Sequence, residues 1–242
     1  MMLLAIDTST SQGSVALAAA DGAAVAVRER TIDDGWQHGR LLICAVDALL
    51  REAGRTLAAV DAFACGIGPG SYTGTRIGVI AAKTLAWCQN RPLYGVSSLA
   101  ALALCRHAAD GAAAVVALQD ARKDEIYAGA YAFTADGMPE ALRPDAALNP
   151  RDAAALIAPG AVVTGNGVWD KYPDAFAAAR AAGAEFRAAP AAPTLAAAVA
   201  RIALSGRIAA GDPKTLEPVY MRREEAPCTF EKYAREHPQE NR

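Results

Sequence analysis

Apolar positions along this chain change period several times, and each change marks an element. Residues 2–6 are apolar and end at Asp7. Two more extended runs, 13–20 and 23–30, are split by Asp21-Gly22, a pair that favours hairpin turns. Three antiparallel strands are therefore predicted at the start. Residues 38–53 take helical spacing and close at Gly54. A strand over 61–65, a glycine-rich stretch and a helix over 73–89 follow, and Arg91-Pro92 breaks that helix. A short strand at 93–95 leads to Ser97-Ser98, which can cap a helix running through Arg106.

Asp110-Gly111 divides the pattern into an N-terminal lobe, 1–109, and a C-terminal lobe, 110–222. LLAIDTSTSQGSVALAAADG and VVALQDARKDEIYAGAYAFTADG share one plan: strand, Asp, polar turn, strand, Asp-Gly. An internal duplication is expected. Later come a helix at 151–157, a strand at 161–164 with Gly165-Asn166-Gly167, and helices at 169–182 and 194–205. Residues 223–242 are mostly polar and charged, and are expected to form a mobile tail.

The helices over 38–53 and 73–89 are more apolar than one buried face requires. On the first, Arg40, Asp47 and Arg51 share a narrow stripe at ~100° per residue. Leu42, Ala45, Val46 and Leu49 lie opposite and should face the core. Leu41, Cys44 and Ala48 occupy one flank, and Ile43 and Leu50 the other. On the second, Ile80 and Trp87 border a stripe of Arg76, Lys83 and Asn90. Gly74, Gly78, Ala81 and Leu85 lie opposite. The spare apolar flanks are either a partner surface, with Leu41 and Trp87 as anchors, or are covered by other elements of the same chain.

Composition narrows the class. The chain has 242 residues, is 53% hydrophobic and carries a net charge of −2. That balance offers no general attraction to nucleic acid. No apolar run is long enough to span a bilayer, and Asp7 comes too early for a signal peptide. A cytoplasmic protein is expected. Cys44, Cys65, Cys88, Cys105 and Cys228 show no C-x-x-C spacing, and four lie in apolar segments, so buried reduced thiols are expected. No pair of the three histidines has helical ligand spacing, so no metal site is expected.

The stretch GIGPGSYTGTRIG, residues 66–78, reads as strand, glycine corner and helix start. Ser71 or Thr73 can cap the helix, and such a corner can hold an anion. It is no Walker A loop, because Thr75 and Arg76, not Lys, follow Gly74. A tight corner without ligand, built by Gly68, Gly70, Ser71, Thr73, Gly74 and Arg76, is the simpler reading. Two lobes opening with strands around Asp7 and Asp120 suggest the actin, sugar-kinase and Hsp70 ATPase fold, an α/β fold with a nucleotide cleft between its Asp turns. Each Asp can equally be a turn residue bonding its own backbone.

LLAIDTSTSQGSVAL, GIGPGSYTGTRIG, GVSSLAALA, QDARKDEIYAGAY and LEPVYMR, in this order and spacing, resemble the TsaB (YeaZ) family. The resemblance runs from Met2 to about Arg222. It implies the actin-like ATPase fold and a non-catalytic scaffold in the synthesis of threonylcarbamoyladenosine in tRNA. It implies pairing with a TsaD-type catalytic paralogue and a TsaE-type ATPase, a homodimer in isolation, and tRNA contact only through the complex. The catalytic paralogue binds metal through H-x-x-x-H; the comparable start here reads His38-Gly39-Arg40-Leu41-Leu42, and leucine cannot ligate. No cofactor is expected for this chain alone, with ATP or ADP held, if at all, at the interface with partners. Asp7, Thr8 and Ser9 would be a vestige of the nucleotide loop, since Ser9 stands where nucleotide-binding members place glycine. Asp120 and Arg122 are expected to form a lobe-joining turn, with Asp120 paired to Arg122 or Lys123.

Two rival readings remain. A phosphotransferase of the same fold would use Asp7 and Asp120 on a metal nucleotide, with Gly165-Asn166-Gly167 at the adenosine. A peptidase, a label this superfamily has carried, finds no Ser/His/Asp set in the sequence to support it.

Overall fold

The computed structural model describes residues 1–22, 24–33 and 38–221; the tail at 223–242 lies outside the described residues. The first half runs β1 (Met2–Asp7), β2 (Gly13–Asp21), β3 (Ala24–Ile32), α1 (His38–Glu52), β4 (Ala62–Gly66), α2 (Tyr72–Cys88), β5 (Leu93–Val96) and α3 (Ser98–Asp110). The second runs β6 (Ala114–Arg122), β7 (Glu125–Phe133), β8 (Pro139–Leu148), α4 (Pro150–Ala154), β9 (Val162–Gly165), α5 (Pro173–Ala181), β10 (Glu185–Ala188) and α6 (Leu195–Leu204).

The two sheets repeat one topology. The first has the order β3-β2-β1-β4-β5, and the second, read from its other edge, β8-β7-β6-β9-β10. In each, the first three strands are antiparallel and the last two add in parallel. The duplication expected from the shared Asp-turn plan is thus present strand for strand, and the architecture is the two-lobed actin-like ATPase fold.

The apolar run of β1 is continuous because both faces of its sheet are covered. Leu4 and Ile6 join Phe63 and Cys65 beneath α1 and α2. Leu3 and Ala5 join Ala62 and Ala64 against α3 and α6. Helix α3 serves both halves, because its Leu99 and Leu102 also pack on Val115, Ala117 and Tyr131 of the second sheet. The far face of that sheet is sealed by Trp169 and Phe176.

Three features depart from the sequence reading. Helix α6 and the irregular segment after it cross back to the first sheet: α6 packs on β1 and β2, Gly211 N bonds Leu93 O, and Val219 N bonds Ile67 O. Residues 195–219 therefore belong with the N-terminal lobe, not with 110–222. Strands β8 and β10 were not legible as strands. Both are edges, and β8 carries Pro139 and Pro144 with an exposed stretch at 140–144, so it lacks the alternation that marks a half-buried strand. The helix expected over 169–182 is a 3-10 turn, Val168–Lys171, followed by α5, which starts at Pro173, where a missing N–H costs nothing.

Candidate functional site

The turns after β1 and β6 face each other across a cleft of about 750 Å³ between the lobes. Ser9, Thr10 and Tyr72 line one wall; Asp120, Arg122 and Lys123 line the other. Asp7 itself is withdrawn. It is fully buried, with Oδ1 accepting from Ser9 N at 2.9 Å and Ser9 Oγ at 2.7 Å, and Oδ2 accepting from Ser98 Oγ at 3.0 Å. Ser98 Oγ also accepts from Gly68 N. The Ser9 side chain is what closes one carboxylate oxygen. Thr8 is buried too, and its hydroxyl donates to Gly74 O at 2.6 Å. Asp7, Thr8 and Ser9 thus act here as an internal clasp.

That clasp explains the glycine corner. Ser71 N bonds Ser9 O at 2.7 Å, and Ser71 Oγ caps α2 by accepting from Gly74 N. Thr73 does not cap. A Cβ at Gly70 would lie 2.5 Å from the Ser9 carbonyl oxygen, and one at Gly74 2.1 Å from that of Thr8. Only glycine lets α2 approach the first loop this closely. Arg76 Nη1 donates to Tyr72 OH at 2.7 Å and its guanidinium lies over that ring, while Tyr72 meets Tyr220 at 5.0 Å between centroids.

Asp120 and Arg122 do not join the lobes. They close the β6–β7 hairpin inside the second sheet, at a register shift where Arg122, Lys123 and Asp124 all take positive φ. Three successive left-handed residues consume the chain in turning back on itself. The carboxylate of Asp120 accepts from Arg122 N and pairs with Lys171, not with the side chain of Arg122 or Lys123. Burial opposes ionisation there, but the Lys171 ammonium and the Arg122 amide hold the Asp120 pKa below its ordinary value. Lys171 sits 51 positions from Asp120, beyond the reach of local sequence pattern.

A second buried acid also went unread. Asp145 on β8 accepts from Ser97, the cap residue of α3, and from Tyr131 OH. Burial pushes the Asp145 carboxyl up, against the pull of the two hydroxyls, and burial with the neighbouring carboxylate raises Tyr131. The adjacent serines Ser97 and Ser98 thus hold one acid in each lobe. Their only sequence signal was the capping pair.

On the outer face of the N-terminal lobe, α1 and α2 lie side by side. Leu42, Ala45, Val46 and Leu49 face inward as expected. Ile43, Ile80 and Trp87 are 53%, 56% and 64% exposed, and Cys44 is also exposed. Leu41 and Ala48 are half-buried. Leu50 is corrected: it is 5% exposed and belongs to the core under α1, in one cluster with Leu17, Ile32 and Val60. The thiols are corrected as well. Cys65 and Cys105 are buried, and burial lifts Cys65 to about 12, but Cys44 on α1 and Cys88 at the end of α2 are exposed. Cys228 lies outside the described residues.

Among the described residues no three His, Cys, Asp or Glu side chains gather as a metal site, and no helix is long and apolar enough to cross a membrane.

A family model described as TsaD, tRNA N6-adenosine threonylcarbamoyltransferase, matches residues 35–205. The tRNA threonylcarbamoyladenosine biosynthesis protein TsaB of Escherichia coli K12 is 34% identical over 177 residues, 72% of this chain and 74% of that protein. The Bacillus subtilis protein of the same name is 36% identical over 60% of this chain and 61% of its own length. The crystal structure of YeaZ from Pseudomonas aeruginosa superposes with a TM-score of 0.73 at 31% identity, covering 90% of this chain and all of that one. With the duplicated topology, the glycine corner and these relatives in agreement, the chain belongs to the TsaB (YeaZ) family of tRNA threonylcarbamoyladenosine biosynthesis proteins.

Proposed function

We propose that this protein is the non-catalytic scaffold of a tRNA threonylcarbamoyl-transfer complex, docking a TsaD-type catalytic paralogue on the outer face of α1 and α2. The observation that carries this reading is the exposure of Ile43 on α1 and of Ile80 and Trp87, two turns apart on α2, on two helices that pack against each other. Large apolar side chains grouped on a surface mark an interaction site, and tryptophan is enriched among the dominant anchors of interfaces. The same face would pair two copies when the partner is absent, so homodimer and heterodimer compete for it.

Two observations support the lack of catalysis. Leu42, in the second position of the paralogue's metal pair, is a core residue. Asp7, the acid a phosphotransferase would present to a metal nucleotide, is sealed by Ser9 and Ser98. In this reading a TsaE-type ATPase joins the pair, tRNA is held by the assembly, and any ATP or ADP used in transfer sits with the partners. The decisive experiment is reconstitution with tRNA, threonylcarbamoyl-adenylate, and a TsaD-type and a TsaE-type protein. Modified adenosine should form only when this chain and the TsaD-type protein are both present. Modification by this chain alone, or full activity without it, would overturn the reading.

A further inference from the structure

The last stretch of described chain leads from the core of the first lobe to the mouth of the cleft. Leu216 packs on the core cluster that holds Leu93 and Phe63, Glu217 pairs with Lys83 on α2, and Val219 N bonds Ile67 O. Tyr220 then meets the ring of Tyr72 at the start of α2, and Val219 and Tyr220 both line the cleft. Met221 is the last described residue, and residues 222–242 follow it in sequence. From the other wall, the second lobe presents Arg122 and Lys123, and neither forms an ion pair among the described residues. Two buried side chains also border the space. Gln119 Nε2 and Thr75 Oγ1 have no hydrogen-bond partner among the described residues, and their residues are 5% and 4% exposed. An unsatisfied buried amide or hydroxyl is costly.

A short stretch of peptide answers these features together. Each residue brings one N–H and one C=O, which suits an amide donor on one wall and a hydroxyl on the other. The sequence beyond Met221 begins Arg222-Arg223-Glu224-Glu225, so its first acids come three and four residues past the cleft mouth. At no more than ~3.6 Å per residue they reach up to about 14 Å from Met221, enough to cross a cleft of about 750 Å³. A tether this short gives an effective concentration on the order of millimolar, so a modest charge contact suffices to seat the segment. We propose that residues 222–225 fold back across the cleft as a strap, with Glu224 and Glu225 against Arg122 and Lys123. The strap starts on the first lobe and fastens to the second, so it holds the two together and fills the mouth of the cleft. Ile43, Ile80 and Trp87 have no part in it, so the inference does not rest on the scaffold reading.

The test is zero-length carbodiimide coupling of the full-length protein, mapped by mass spectrometry. It should join Lys123 to Glu224 or Glu225 within one molecule, with Lys83 and Glu217, 3.3 Å apart, as the internal control. Hydrogen exchange supplies a second measurement. Arg122→Glu/Lys123→Glu and Glu224→Lys/Glu225→Lys should each speed amide exchange over residues 71–75, on the wall facing the basic pair, at least about threefold. The four changes together reverse both partners and should restore the parent rate, with thermal melting confirming that each variant is folded. A coupled control without the Lys123 product, or that product only between two molecules in an isotope-labelled mixture, would overturn the strap. So would exchange that neither reversal alters, or exchange equally fast in the combined variant.

Discussion

Ser98 Oγ lies 3.0 Å from Asp7 Oδ2, joining the start of α3 to the end of β1 in a place with no solvent. A carboxylate in such a place needs its lone pairs filled, and Ser9 and Ser98 fill them. Asp7 is here a structural tie between the end of β1, the loop after it and the start of α3.

Asp7→Ala should therefore act on stability. It strands Ser98 Oγ and the Ser9 amide in the core, at a cost of roughly 2–4 kcal/mol. Asp7→Asn should cost less, since its amide oxygen keeps the Ser9 bonds and its NH₂ can turn to Ser98 Oγ. Urea unfolding of the two variants checks the order. Equal stability of Asp7→Ala and the parent would remove the tie.

Gly74→Ala sets two effects against each other. Alanine is the better helix former by about 1 kcal/mol. Its methyl, however, would stand 2.1 Å from the Thr8 carbonyl oxygen, and backbone cannot swing aside as a side-chain tip can. Overpacking of this kind costs about 1–3 kcal/mol, so net destabilisation is expected, visible as a lower melting temperature. A neutral or stabilising result would mean that the corner is looser than its geometry shows.

Much of this was legible in the sequence because it is local. Asp21-Gly22, Gly54 and the serine caps set element ends, and the shared Asp-turn plan announced the duplicated sheets. Long-range matters were not legible. Nothing near Asp120 pointed to Lys171, nothing in the exposed, proline-bearing β8 pointed to Asp145 meeting Ser97, and nothing in α6 told which sheet it would cover. Helical spacing put Ile43 and Leu50 on one flank of α1, yet Ile43 is exposed and Leu50 is buried, since periodicity gives an angle around a helix and not which neighbours cover each turn.

The two acids of the second half should leave opposite marks on stability against pH. Asp145 is raised by burial, so the folded chain holds its proton more tightly than the unfolded one. Stability should then fall as pH rises from about 4 through that raised value, and Asp145→Asn should flatten this limb. Asp120 is lowered, so its contribution is present above about 4 and is lost as pH falls toward its folded value; Asp120→Asn should remove that acid-side loss. Melting temperatures measured from pH 3 to 8, at roughly the unfolded carboxylate range and above, separate the two. An Asp145→Asn profile parallel to the parent's would rule out the buried acid as the source.

The outer face gives the sharpest contrast between packing and pairing. Trp87→Glu and Ile43→Glu place charge on side chains that are more than half exposed, so the isolated fold should hold while homodimer and partner complex are lost. Leu50→Ala acts on the core beneath the same helix and should cost about 2–5 kcal/mol, with pairing retained where the chain is folded. Leu41→Glu is the less clean probe, because Leu41 is half-buried against that core and its replacement disturbs fold and face together. Size-exclusion with light scattering, with and without a TsaD-type protein, reads the pairing, and thermal melting reads the fold. If both Trp87→Glu and Ile43→Glu leave the complexes at full mass, the docking face lies elsewhere. If instead Leu50→Ala abolishes pairing without loss of stability, the boundary between core and interface on α1 has been drawn on the wrong side of that residue.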